Sequence, residues 1–181
     1  MSRIQVVNPQ TATGEAKTLL DAVQTKLGNT PNFLRVLANS PAALNAFLGL
    51  HSIVEHGKLD VQTAERIAIA LAQQNSCEYC LSAHSAIGRK AGLAGDEIAA
   101  NREGTSHDAK AAAAVAFARA LVDNMGDVTK TELEAVRHAG YGDAEIAEII
   151  VHVGMNVLTN ILGKASRVEI DFPRVDLKQA A

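Results

Sequence analysis

An all-α fold, a single-domain helical bundle of about eight helices, is what this sequence predicts, and three observations predict it. Hydrophobic residues make up 48% of the chain but aromatics only 3%, with no tryptophan, so the apolar content is mostly alanine with leucine, isoleucine and valine. That composition favours closely packed helices over a sheet sandwich. Helix start and stop signals recur along the chain: Asp60, Asp108 and Thr129 stand before apolar-periodic runs, and Gly28, Gly92 and Gly140 after them. No convincing strand pattern interrupts them.

Residues 1–14 read as an extended arm, with Ile4 and Val6 alternating before a turn near Asn8-Pro9. A helical domain is expected over 15–165 and a polar tail, ending in the weakly extended VEIDFPRVDL, over 166–181. Within the domain a first helix runs to about Leu27, Pro31 opens a short one, and Pro41 opens another reaching His56. Asp60 caps a helix over 61–74, and Asn75-Ser76 then breaks and restarts the chain. With Asn75 as the next cap, Glu78 takes the capping-box position and Cys77 falls in the first turn of a helix ending near Gly92. A short helix follows near 95–103; Ser106 or Asp108 caps an alanine-rich one over 109–124, Thr129 caps another, and Asp143 opens a last helix to about Leu162.

The net charge of −3, the absence of a long basic run and the absence of clustered Lys and Arg argue against nucleic acid as a partner. The N-terminus has no apolar core of signal-peptide length, and no run approaches the roughly 18 uninterrupted apolar residues of a membrane span. The expectation is a cytoplasmic protein with no membrane partner. There, two cysteines at CxxC spacing point to catalysis or metal binding before a structural staple.

Those cysteines organise the chain. Cys77, Cys80 and His84 fall at i, i+3 and i+7, one stripe of a helix that continues through Ile87 and Ala91 to an apolar interior. The opposite face, Glu78, Ser82, Ser85 and Arg89, reads as solvated. Residues three apart on a helix have Cα atoms roughly 5–6 Å apart, within disulfide range, so Cys77 and Cys80 can cycle between dithiol and disulfide. The helix N-terminus favours a thiolate at Cys77, whereas His84 is placed at i+4 to take the proton of Cys80. Glu65, one helix earlier, has only apolar neighbours at helical spacing and lies off the polar side marked by Gln62, Arg66 and Gln73. A buried carboxylate needs a partner, and meeting His84 or a thiol would complete a proton relay. Three other readings stand beside this one: small buried residues on an alanine-rich helix, a zinc site of Cys77, Cys80, His84 and Glu65, and a salt bridge from Glu65 to a lysine or arginine.

Glu65, eleven intervening residues, Cys77-x-x-Cys80, three more residues and His84 resemble the signature of the AhpD-like alkylhydroperoxidases of the carboxymuconolactone decarboxylase superfamily. The resemblance implies an all-helical subunit assembled as a homotrimer or homohexamer. It implies a thiol-dependent hydroperoxide reductase with no cofactor beyond a redox-active Cys77–Cys80 disulfide, re-reduced by a dithiol or thioredoxin-like partner. By motif position Cys80 is the peroxidatic thiolate, Cys77 the resolving thiol, and His84 with Glu65 the relay. Tyr79 stands where the peroxidase type carries a second histidine; a phenol donates a hydrogen bond but is a poor base near neutral pH. The decarboxylase members lack the CxxC pair.

The last helix is apolar nearly all round except for one row, Glu148, His152, Asn156 and Asn160. That row serves either hydrogen bonding between helices or subunits, or a cavity before the thiols with His152 in its lining. His51, His56, His107 and His138 read as surface or helix-end residues. Two rivals to the hydroperoxide reductase remain open on sequence grounds: a CxxC redox sensor or disulfide-exchange protein, and a Cys/His/Glu metal-binding helical protein.

Overall fold

The computed structural model describes residues 1–178, in which ten helical segments succeed one another with no β-strand among the described residues. They are α1 (Gly14–Leu27), α2 (Asn32–Leu37), α3 (Pro41–His51), α4 (Ile53–His56) and α5 (Val61–Gln74), then α6 (Glu78–Lys90), α7 (Gly95–Arg102), α8 (Ala109–Asp123), α9 (Lys130–His138) and α10 (Asp143–Ser166). The all-α expectation holds, with more segments than about eight. Part of the excess arises at Ser52, whose hydroxyl donates to Gly49 O at 2.7 Å and separates α3 from the four-residue α4. The last helix runs one turn beyond Leu162, to Ser166, and ends at Arg167 in the left-handed region with φ 46°.

Several predicted caps close the helices as their chemistry requires. Asp60 Oδ1 accepts the Thr63 N–H at 2.8 Å, and Asp108, rather than Ser106, accepts the Ala111 N–H at 2.9 Å. Thr129 and Glu132 form a reciprocal capping box at the start of α9. Each such bond satisfies a helix-end donor and contributes on the order of 1 kcal/mol.

Helix α5 is the hub, packed against α6, α7, α8 and α10. Its alanines Ala64, Ala68, Ala70 and Ala72 are all buried and let the neighbouring helices approach closely. Ile69 and Ala72 belong to one apolar cluster with Leu20, Phe33, Phe47, Leu81 and Met155. Ile67 and Leu71 belong to a second, with Val115, Phe117, Val136 and Ile149. The cysteines lie in the first cluster.

The C-terminal segment corrects one expectation. Ser82 and Ser85 are fully buried, and at Ser82 the chain after α10 folds back over the face of α6 that reads as solvated. The Val175 N–H donates to Ser82 Oγ at 3.0 Å, Arg174 pairs with Glu78 at 2.8 Å, and the Asn32 N–H donates to Asp171 at 2.7 Å. Ile87, expected to face inward, is 40% exposed at the far end of its stripe. Residues 179–181 of the predicted tail lie outside the described residues.

Helix α10, 24 residues long, has the length and apolarity of a membrane span. Here it crosses the core, packed on α2, α3, α5, α6 and α8. Ile150, Leu158 and Ile161 are left exposed on its outer side.

Candidate active site

The site begins at the turn between α5 and α6. Asn75 ends α5, its N–H bonding to Leu71 O at 2.8 Å, and its side-chain amide donates to Asn160 Oδ1 on α10 at 2.8 Å. Ser76 then adopts a left-handed conformation with φ 54°, and the Cys77 N–H reaches back to Ala72 O at 2.9 Å. This moves the helix start two residues beyond the predicted cap. Cys77, not Asn75, is therefore the N-cap of α6, and its Sγ accepts the Cys80 N–H at 3.3 Å. Glu78 is drawn to Arg174 instead of to a capping box.

Cys77 and Cys80 are joined as a disulfide, their Cα atoms 5.3 Å apart, as their i, i+3 spacing allows. The two sulfurs have different surroundings. Cys77 is 1% exposed and lies against Gly163 of α10, where an added Cβ would stand 2.9 Å from its Sγ. Cys80 is turned to a cavity of about 150 Å³ that it lines together with Glu65, His84 and His152.

Glu65 is 7% exposed, and its Oε2 is 2.9 Å from His84 Nδ1. A carboxylate oxygen accepts, so Nδ1 is the donor in this bond and Nε2 is the ring nitrogen it leaves over. The predicted meeting of Glu65 with His84 is thus present, and its partner is this imidazole rather than a lysine or arginine. Among the described residues no group of three or more His, Cys, Asp and Glu side chains is placed to hold a metal ion.

Tyr79, at the position of the second histidine, is bonded away from His84 and Glu65. Its hydroxyl donates to Asp171 Oδ1 at 2.8 Å and accepts the Phe33 N–H at 3.2 Å, and its ring packs edge-on against Phe172. Burial, together with the hydrogen bond and charge of Asp171, raises the phenol above the ordinary tyrosine range, so it stays protonated. Its role is to fasten the C-terminal segment beside Cys80.

His152 is 2% exposed and lines the cavity, as the α10 polar row allowed. The other members of the row serve structure in part: Glu148 accepts the N–H groups of Lys58 and Leu59 at 2.7 and 2.8 Å, and Asn160 meets Asn75. Sequence reasoning missed His51, Asn156, Phe33, Phe47 and Phe172, all in the same lining. Burial is the main cause that lowers both His51 and His152 below the ordinary imidazole value, favouring neutral rings. The i+4 step from His152 to Asn156 was a signal for the second; nothing near Phe172 in a polar tail marked it.

Residues 39–123 match the sequence model of the carboxymuconolactone decarboxylase family. No curated protein matches the chain. Among solved structures, an uncharacterised peroxidase-related protein with an alkylhydroperoxidase AhpD core from Ralstonia eutropha JMP134 superposes with a TM-score of 0.82 at 26% identity, over 94% of this chain and 92% of that one. A peroxidase-related protein from Silicibacter sp. TM1040 gives 0.78 at 24%, over 93% and 94%. The debrominase Bmp8, in a cysteine-to-alanine variant complexed with 2,3,4-tribromopyrrole, gives 0.78 at 21% identity, over 94% of each chain.

Proposed function

We propose that this chain is a member of the AhpD-like carboxymuconolactone decarboxylase superfamily and, within it, a thiol-dependent reductase of small organic hydroperoxides. The observation that carries this reading is the asymmetry of the cysteine pair: Cys80 opens on a cavity that also holds the His84–Glu65 pair, while Cys77 is packed behind it.

In the reduced protein His84 Nε2 takes the proton of the Cys80 thiol, and Glu65 stabilises the imidazolium that results. The Cys80 thiolate attacks the outer peroxide oxygen; the O–O bond breaks, the alkoxide leaves as the alcohol with the proton returned by His84, and Cys80 becomes a sulfenic acid. The Cys77 thiol then displaces the sulfenic oxygen as water and closes the Cys77–Cys80 disulfide. A dithiol or thioredoxin-like reductant restores both thiols. The redox-active disulfide is the whole of the cofactor in this reading, and a cytoplasmic location supplies the reductant. The exposed Ile150, Leu158 and Ile161 of α10 support self-association as a homotrimer or homohexamer.

The cavity gives a second reading. Its volume of about 150 Å³ and its walls of Phe33, Phe47 and Phe172 suit one small ring. The same two thiols could then reduce a halogenated ring, the pair yielding two electrons as it closes to the disulfide, with hydrogen replacing a halogen released as halide. Purified reduced protein incubated separately with tert-butyl hydroperoxide and with a bromopyrrole, with dithiothreitol as reductant, separates the readings. Catalytic alcohol formation supports the first, and bromide release without peroxide turnover replaces it with the second. Disulfide exchange with a protein partner in the absence of either turnover supports the redox-sensor alternative.

A further inference from the structure

We infer that His152 and Asn156 form a polar anchor in the cavity, and that its ligand is a compact, uncharged organic molecule presenting an O–H or N–H hydrogen. Both residues are 2% exposed, on adjacent turns of α10, and both line the cavity that Cys80 enters. The orientation of the Asn156 amide is fixed by its neighbour. Its nitrogen donates to His152 O at 2.8 Å, and since a backbone carbonyl only accepts, the amide oxygen is the atom left over. Among the described residues no protein group hydrogen-bonds to that oxygen or to either ring nitrogen of His152, and none of the three is sealed from solvent, so they open on the cavity. Polar atoms that open on a cavity are satisfied by what enters it.

Shape and charge narrow the ligand further. A cavity of this volume holds a body of about one benzene ring. No lysine or arginine lines it among the described residues, and its one acidic side chain, Glu65, already engages His84, so a carboxylate or phosphate ligand would meet an acidic neighbour and no lysine or arginine to receive it. The apolar walls receive the body of the molecule. Asn156 Oδ1 and the unprotonated nitrogen of His152 accept its hydrogen, which holds the hydrogen-bearing atom in the cavity that Cys80 lines. For the proposed reaction, on which this assignment of a substrate class rests, the O–H of a hydroperoxide meets the same requirement.

Phenol, toluene and benzoate, similar in size but different in polarity, test the anchor without any redox chemistry. Each is titrated into the oxidised protein carrying ¹⁵N-labelled histidine, with affinity from calorimetry and the imidazole resonances followed by NMR. The expected result is phenol bound about tenfold more tightly than toluene, benzoate bound least, and the His152 ring resonances moving with phenol saturation. His152→Phe should remove the phenol preference while toluene still binds, and His152→Gln, which keeps a hydrogen-bonding side chain, should retain part of it. Equal affinity for phenol and toluene, or no phenol binding at millimolar concentration, overturns the anchor. Neither outcome touches the thiol chemistry, which is read separately from thiol loss on oxidation.

Discussion

Gly163 of α10 lies against Cys77 so closely that a single added carbon would stand 2.9 Å from the cysteine sulfur and 3.6 Å from that of Cys80. The disulfide therefore sits in a slot between two helices whose width is set by the absence of one side chain. Gly163→Ala should lower stability by about 1–3 kcal/mol, as overpacking does, even though alanine is the better helix former. It should also slow closure of the Cys77–Cys80 disulfide; thermal melts of the oxidised and reduced forms, with thiol counts against time, check both effects.

The two cysteines are predicted to fail differently. Cys80→Ser should abolish turnover, because the sulfur that meets the cavity is gone. Cys77→Ser should leave one turnover per subunit and a sulfenic acid at Cys80 detectable by dimedone labelling and mass spectrometry. The reverse pattern would assign the attacking role to Cys77.

In the proposed mechanism the Glu65–His84 pair carries the proton. Glu65→Gln keeps the shape of the carboxylate but removes its charge, and should reduce turnover about 100-fold. Disulfide formation by diamide, which does not depend on the relay in the same way, should still reach completion. Full activity in Glu65→Gln would remove this carboxylate from the mechanism.

Asp171 fastens the C-terminal segment to Tyr79 and to the N-terminus of α2, with bonds of 2.8 and 2.7 Å. Asp171→Ala should loosen that segment where it passes Cys80 and leave the Tyr79 hydroxyl without its acceptor. Faster reduction of the disulfide by dithiothreitol, by about tenfold, and a lower melting temperature are the expected outcomes.

Glu97 ties α7 to α5. Burial alone would raise its carboxyl, but bonds from Ser106, Asn101, the His107 N–H and Arg66 outweigh that and hold it at about 2, against an ordinary 4.5. A carboxyl depressed in the folded state contributes stability above its unfolded value, and loses it as pH falls from about 4.5 toward 2. Melting temperature should drop steeply through that range in the wild type and less steeply in Glu97→Gln.

The fold was legible because its signals are local. Asp60, Asp108 and Thr129 each do at a helix end what their short polar side chains predict, and the alanines of α5 admit the helices around it. The spacing of Glu65, Cys77, Cys80 and His84 led to the site because three of them share one helix and a buried carboxylate had to meet a partner. What was not legible depends on chain returning from far away. Ser82 reads as solvent-facing until Val175 covers it, and Phe172 gave no sign of reaching the cavity from a polar segment. His51 lay on a helix whose relation to α6 no local pattern expresses. Asn75 was misplaced as a cap because the left-handed turn at Ser76 is not one that a serine advertises.

The most direct measurement is a stopped-flow thiol count on reduced protein mixed with one equivalent of tert-butyl hydroperoxide. The account predicts that both thiols are lost together, at least a hundredfold faster than free cysteine, with Cys77–Cys80 as the product. Loss no faster than free cysteine would contradict a hydroperoxide reductase built on this pair.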